Sequence, residues 1–232
     1  MSFVLEISVE SVAAAQAAER AGADRVELCA NLSVGGITPS EHVMREARSC
    51  VHIPIFVIIR PRRGNFVYDS NEFAAMQSQI AMARSLNMAG IVLGILTPKN
   101  AVDVDRTRTL IKSAGPLPVT FHRAFDETAE LAQSLEDVVA TGAKRILTSG
   151  GAASAFEGKD RLRDLVRLAG SRIIVMPGAG IQGENIVELR EGTLAKEFHA
   201  GLGTVLPYGS NDFARFEEEI RKIAAQKSSS ET

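Results

Sequence analysis

Three features of the 232-residue chain predict an α/β fold, a (β/α)8 TIM barrel. Short apolar runs alternate with helical stretches eight times, through short loops. Polar residues gather at one end of many of these runs, because an unpartnered polar group in a strand's middle would be costly. The length is about what such a barrel needs. An open, doubly wound sheet is the runner-up. The clearest run is Leu117-Pro-Val-Thr-Phe-His-Arg-Ala-Phe-Asp126, a buried parallel strand that stops at His122, Arg123 and Asp126.

The elements follow in order. Phe3 to Val9 reads as the first strand, with Glu6 inside it, and Ser11 caps an alanine-rich helix that Gly22 stops. Arg25 to Cys29 is the second strand. Thr38-Pro-Ser-Glu41 starts a helix that runs to about Cys50. Pro54 opens a third strand ending at Arg60, and Ser70 begins a helix ending near Asn87. Gly90 to Leu93, a helix over 103–113 and the strand before His122 come next. A helix is expected from Glu127 to Thr141, closed by Gly142, then a strand from Lys144 to Thr148. The last alternations are a helix from about Glu157 to Ala169, a strand from Arg172 to Met176, a helix from Glu184 to Arg190, a strand from Lys196 to His199, and a helix from Asp212 to Ala225. No linker divides the chain, so one domain over 1–227 is expected, with a disordered tail over 228–232.

A weak repeat supports the alternation. Ala21-Gly-Ala-Asp-Arg-Val26 matches Thr141-Gly-Ala-Lys-Arg-Ile146, and Ile53-Pro-Ile55 matches Leu117-Pro-Val119. Each match joins a helix end to a strand start.

Composition excludes several classes. A net charge of -2 provides no basic footprint for nucleic acid. No apolar run approaches the roughly 20 residues that span a bilayer. The amino terminus lacks a signal-peptide pattern, so a cytoplasmic protein is expected. Two cysteines do not make a disulfide framework and are expected as free thiols.

In a barrel, the carboxyl ends of the strands share one mouth. Collecting the polar residues there gives Glu6, Glu27, Arg60, His122, Arg123, Asp126, Ser149, Glu197 and His199. Glu197 and His199 are two apart and share a strand face, whereas His122 and Arg123 are adjacent, so one of them lies at the rim. Carboxylates and imidazoles together suit acid–base work on a small polar or anionic metabolite, with the arginines holding it. The plainer reading is an ion-pair layer that closes the barrel. The glycine-rich loops, with Ser149, Gly150, Gly178, Gly180 and Gly201, resemble the phosphate-cradling corner of many barrels. No lysine falls at a strand's carboxyl end, which argues against Schiff-base chemistry. His42 and His52 read as surface residues.

Several stretches together resemble one family. Ala23-Asp-Arg-Val-Glu-Leu-Cys29, Gly35-Gly-Ile-Thr-Pro-Ser40, Ile59-Arg-Pro-Arg62 with Gly64 and Phe66, Thr120-Phe-His-Arg-Ala-Phe-Asp126, Leu147-Thr-Ser-Gly150, Met176-Pro-Gly178 with Gly180-Ile181, and Glu197-Phe-His-Ala200 are similar to the CutC copper-homeostasis family. The resemblance implies a TIM barrel, a cytoplasmic location, self-association as a homodimer or higher homo-oligomer, and copper(I) bound by Cys29 and Cys50. One departure is Arg63, where many members have glycine. Thiolates suit Cu(I), but the barrel reading puts Cys29 at the top and Cys50 at the bottom, roughly 17–20 Å of strand apart. Two small buried hydrophobes are the alternative.

Overall fold

The computed structural model describes residues 2–203, 206 and 211–227, and the tail expected to be disordered lies outside them. Eight strands alternate with eight helices: β1 (Val4–Val9), α1 (Val12–Arg20), β2 (Arg25–Leu28), α2 (Glu41–Cys50), β3 (Ile55–Ile58), α3 (Ser70–Ser85), β4 (Gly90–Leu93), α4 (Val104–Ala114), β5 (Val119–Phe121), α5 (Leu131–Thr141), β6 (Arg145–Thr148), α6 (Lys159–Ala169), β7 (Ile174–Pro177), α7 (Ile186–Thr193), β8 (Glu197–Ala200) and α8 (Ala214–Ala225). Each strand pairs in parallel with the next in sequence, and β1 also pairs with β8. A parallel bridge between Gly178 and His199 joins β7 to β8, so the sheet closes into the expected (β/α)8 barrel.

Period-two alternation divides the strands into two faces. One set, including Leu5, Ile7, Val26, Leu28, Val57, Ile91, Phe121, Ile146 and Phe198, packs into the apolar layer beneath the helices. The helices complete that layer with small or branched residues, as α1 does with Ala14, Ala15, Ala17 and Ala18. Local chemistry sets the helix ends: Ser11 accepts the Ala14 N–H, and Asp69 and Glu72 form a reciprocal capping box on α3. The other set faces the barrel axis. It is buried but lies outside the apolar layer: Phe56, Ile58, Val92, Leu147 and Met176, together with the charged groups described below. Interior space is matched strand to strand. A Cβ on Gly90 would lie 2.5 Å from the Phe56 ring and one on Gly94 2.6 Å from His122 Nδ1, so glycine admits the large neighbour in each case.

Helices α5, α6, α7 and α8 begin later than the sequence suggests, α5 by four residues and the others by about two. The run after His122 first makes a 3-10 turn over Arg123–Glu127, and α5 begins only at Leu131. The Phe125 carbonyl accepts both the N–H and the hydroxyl of Thr128, which is extended, so the turn cannot continue as a helix. Helix α7 starts at Ile186 because Asn185 ties down the preceding loop, accepting from the Gln182 N–H and donating to the Gly180 carbonyl. No described helix is long and apolar enough to cross a membrane.

The loop after β6 doubles back on the start of α6, and a Cβ on Gly158 would overlap the Ser149 carbonyl. Both partners there are backbone. Gly158→Ala is therefore expected to destabilise the fold by about 1–3 kcal/mol, in the range of overpacked cores. Urea denaturation measures it, and an unchanged midpoint would refute the close approach.

Candidate active site at the barrel mouth

The lower barrel interior is a charged floor. Arg25 Nε meets Glu6 Oε2 at 2.5 Å, and its Nη2 meets Glu197 Oε2 at 2.8 Å. Arg145 reaches the same Glu197 from the far side of the barrel, Nε to Oε2 at 2.6 Å. Both guanidiniums lie over the Phe56 ring, 4.7 and 5.4 Å from its centroid, and Arg25 Nη2 also contacts the Met176 sulfur. Two cations thus balance two carboxylates, as burial of charge requires. Burial pushes the Glu6 carboxyl up, but Arg25 and His199 outweigh it and hold the group down to about 2. Glu197 is likewise lowered, burial being outweighed by Arg145 and Arg25.

Above the floor, His199 Nδ1 lies 2.7 Å from Glu6 Oε1. Glu6 is ionised and can only accept, so Nδ1–H is the donor. This fixes the ring and turns Nε2 toward Glu27 Oε2, 3.8 Å away. Burial lowers the His199 pKa, but the Glu6 hydrogen bond and the Glu27 and Glu6 charges raise it overall. Glu27 behaves oppositely to Glu6. Among the described residues no arginine or lysine pairs with it, and burial, opposed by His199 and reinforced by Glu6, pushes it up to about 7. Register explains the ladder: Glu6 sits opposite both Arg25 and His199, and Ser8 opposite Glu27.

These groups open into a cavity of about 850 Å³ at the carboxyl ends of the strands. Ser8, Glu27, Cys29, Arg60, His122, Arg123, Asp126 and His199 all line it. His122 is buried while the Arg123 side chain is 43% exposed, which is the division between mouth and rim that adjacency demands.

Other expected residues serve the loops. Arg60 donates from Nη1 to the Val34 and Gly36 carbonyls and from Nη2 to Gly64, so it clamps two mouth loops together. Asp126 fills the turn after β6: its carboxylate accepts the Thr148 hydroxyl at 2.5 Å, the Ser149 N–H and hydroxyl, and the Gly151 N–H. Arg123 donates to Asp126 at 2.9 Å and to the Ser149 hydroxyl at 3.0 Å. Gly150 N–H is taken by the Thr148 hydroxyl. The anion that this glycine-rich turn holds is thus the protein's own carboxylate. Gly178 bridges to His199, while Gly180 and Gly201 line the cavity. Asp126→Ala would orphan the Ser149 and Gly151 amides, and it is expected to cost about 1–3 kcal/mol. Hydrogen exchange at those amides should accelerate, and unchanged protection would contradict this role.

Comparison with known proteins covers the same residues. The CutC family profile matches residues 3–204. The chain belongs to the CutC family. It is 50% identical over 200 residues to a CutC family protein of Chromobacterium violaceum, covering 86% of this chain and 81% of that one. It is 44% identical over 197 residues to the human copper homeostasis protein cutC homolog, covering 85% and 72%. The crystal structure of CutC from Streptococcus agalactiae superposes with a TM-score of 0.82 at 36% identity, covering 85% of this chain and 98% of that chain. Phosphoribosylanthranilate isomerase of Thermotoga maritima shares the fold at a TM-score of 0.62 and 13% identity, covering 97% of each chain.

The two cysteines expected from CutC resemblance stand apart. Cys29 is buried at the mouth, and burial with the nearby Glu27 carboxylate pushes its thiol well above its ordinary value. Cys50 ends α2 at the opposite end of the barrel, where its carbonyl accepts from Gln16 and its sulfur meets the Ser49 hydroxyl. Both are free thiols. Among the described residues, the donors that come within 4.8 Å of one another are Glu6, Glu27 and His199. A cation there would have to displace Arg25 and the His199 proton from Glu6, so no ligand set is prebuilt.

The strand-end rule passes over Arg25 and Arg145, because both stand at strand starts. It also misplaces Glu197, which opens β8 and lies in the floor with them and not at the mouth. The signal for the two arginines is the repeat itself: Gly-Ala-Asp-Arg and Gly-Ala-Lys-Arg each place an arginine at the first residue of a strand, β2 and β6. His42 and His52 are exposed, as expected.

Proposed function

We propose that the mouth is a catalytic site that moves a proton on a small polar molecule, with Glu27 and His199 as the groups that exchange it. The supporting observation is their spacing. Glu27 Oε2 and His199 Nε2 stand 3.8 Å apart on the wall of the cavity, too far for a hydrogen bond and suited to one substrate atom or water between them. Behind them Glu6 orients His199 and Arg25 holds Glu6, a supported imidazole of the kind that proton-transfer sites use. The cavity of about 850 Å³ suits a small metabolite. The test is incubation with a whole metabolite extract in D2O, read by mass spectrometry. The reading expects deuterium to enter one compound faster than with Glu27→Gln. A wild-type protein that labels nothing faster than this variant contradicts it.

A second reading, copper carried as cargo, rests on the printed name of the human relative and on the Cys29 sulfur in the mouth wall. Within one chain Cys29 and Cys50 do not fit a shared Cu(I) ion, because they lie at opposite ends of the barrel. Cu(I) titration of the Cys29→Ser, Cys50→Ser double variant decides it: unchanged stoichiometry and affinity removes the cysteines. With either reading we place the protein in the cytoplasm as a homodimer or higher homo-oligomer, and light scattering checks the oligomer.

A further inference from the structure

Ser8 is a polar group of the mouth that proton exchange between Glu27 and His199 leaves unused. It stands two residues after Glu6 on β1 and so shares the face that looks into the barrel. Its register partner on β2 is Glu27, across strands spaced about 4.8 Å apart. On its other side Gly201 follows β8, and a Cβ built there would lie 3.5 Å from Ser8 Oγ. No side chain at that position covers the hydroxyl. Ser8 is only 5% exposed, and its hydroxyl bonds no group among the described residues. In contrast to His122 Nε2, which is sealed in without a partner, it keeps open surface. It lines the mouth cavity and, with Leu32 and Gly201, a neighbouring cavity of about 430 Å³. A hydroxyl idle in the fold, beside Glu27 and facing two cavities, is placed to meet a bound molecule.

The surrounding charge selects the kind of molecule. Glu6 lies one layer below Ser8 and Glu27 beside it, and both are acidic. The arginines near the mouth are committed elsewhere. Arg25 holds Glu6 and Glu197, Arg60 holds the Val34, Gly36 and Gly64 carbonyls, and Arg123 holds Asp126 and Ser149. His199 is set against Glu6. An ionised oxygen beside Ser8 would face Glu27 with no guanidinium of its own. A hydroxyl, by contrast, accepts from Ser8 and can still donate to a carboxylate. We infer that Ser8 is a substrate-binding residue, its hydroxyl bonding a hydroxyl of the molecule held between Glu27 and His199, and that the mouth takes small uncharged polyhydroxylated compounds. This inference rests on the proton-transfer reading of the mouth. Glu27 and His199 exchange the proton, and Ser8 fixes the part of the molecule next to it.

The test compares wild type with Ser8→Ala, a change that removes the hydroxyl and breaks no hydrogen bond among the described residues. Saturation-transfer NMR uses glycerol, erythritol and D-ribose as probes, in buffer free of other polyols. At least one is expected to bind, with affinity falling about 5- to 100-fold in Ser8→Ala. The urea midpoint and the Glu27 titration of the variant are expected to match wild type. Binding of none of the three, equal affinity in Ser8→Ala, or a preference for inorganic phosphate over all three overturns the proposal. Lost binding accompanied by a lowered urea midpoint also overturns it, because the serine would then serve the fold. The same pair of proteins separates this inference from the reading beneath it. Polyol binding that depends on Ser8, with no deuterium exchange in wild type, removes the proton-transfer reading and leaves the Ser8 contact. Deuterium exchange that Ser8→Ala performs at the wild-type rate, at every dilution of the extract, removes the Ser8 contact and leaves proton transfer.

Discussion

Arg25→Ala is expected to destabilise the protein by about 3–5 kcal/mol, the cost of breaking a buried ion pair and leaving its partners uncompensated. Arg25 is 7% exposed and is the cation between Glu6 and Glu197, which are 1% and 10% exposed. Its loss leaves Glu6 with His199 alone and Glu197 with Arg145 alone, and opens space over Phe56. An exposed pair provides the contrast. Arg20 bonds Glu217 at a similar distance but is 58% exposed, and Arg20→Ala should cost no more than about 1 kcal/mol. The sign with pH follows from Glu6, whose pKa is lowered from 4.5 to about 2. Its contribution is present above the unfolded value and is lost as pH falls toward the folded one. The Arg25→Ala penalty should therefore shrink on acidification through that window. Urea denaturation at pH 7 and pH 3 measures both statements, and an equal penalty for Arg25 and Arg20 would contradict them.

Glu27→Gln is expected to reduce deuterium exchange about 10²- to 10⁴-fold, the usual contribution of a positioned acid or base. The same change should stabilise the fold at alkaline pH. The Glu27 pKa is raised from 4.5 to about 7, burial being the largest cause. A raised carboxyl favours folding below the unfolded pKa, and that advantage is lost as pH rises through the folded value. Across that window the loss is on the order of 3 kcal/mol. Glutamine has no such charge, so the variant should gain on wild type between about pH 5 and 8. A catalytic carboxylate held at a cost in stability is expected to behave this way. A variant that is less stable than wild type at pH 8 would mean that Glu27 is a structural anion instead.

The barrel was legible because its signals are local: buried runs of strand length, glycine or proline at their borders, and polar residues confined to one end. The same rule located Glu27, His122 and His199, all in the cavity wall. Arg25 and Arg145 escaped it for a topological reason. Their shared partner, Glu197, is 172 and 52 residues away, and only barrel closure brings the two strands to face it. Loop chemistry was illegible for a related reason. Nothing in the order of residues says that Arg60 would spend its guanidinium on Val34, Gly36 and Gly64 carbonyls, or that Asp126 would fill the turn at Ser149. The delayed start of α5 has the same origin, since a 3-10 turn carries Asp126 back to β6.

Carbon-13 detected titration of the Glu27 carboxyl, assigned by its absence in Glu27→Gln, addresses the mouth most directly. A proton-exchanging Glu27 titrates with a midpoint near pH 7. A midpoint near the ordinary 4.5 would show an unperturbed carboxylate and leave the mouth without its base.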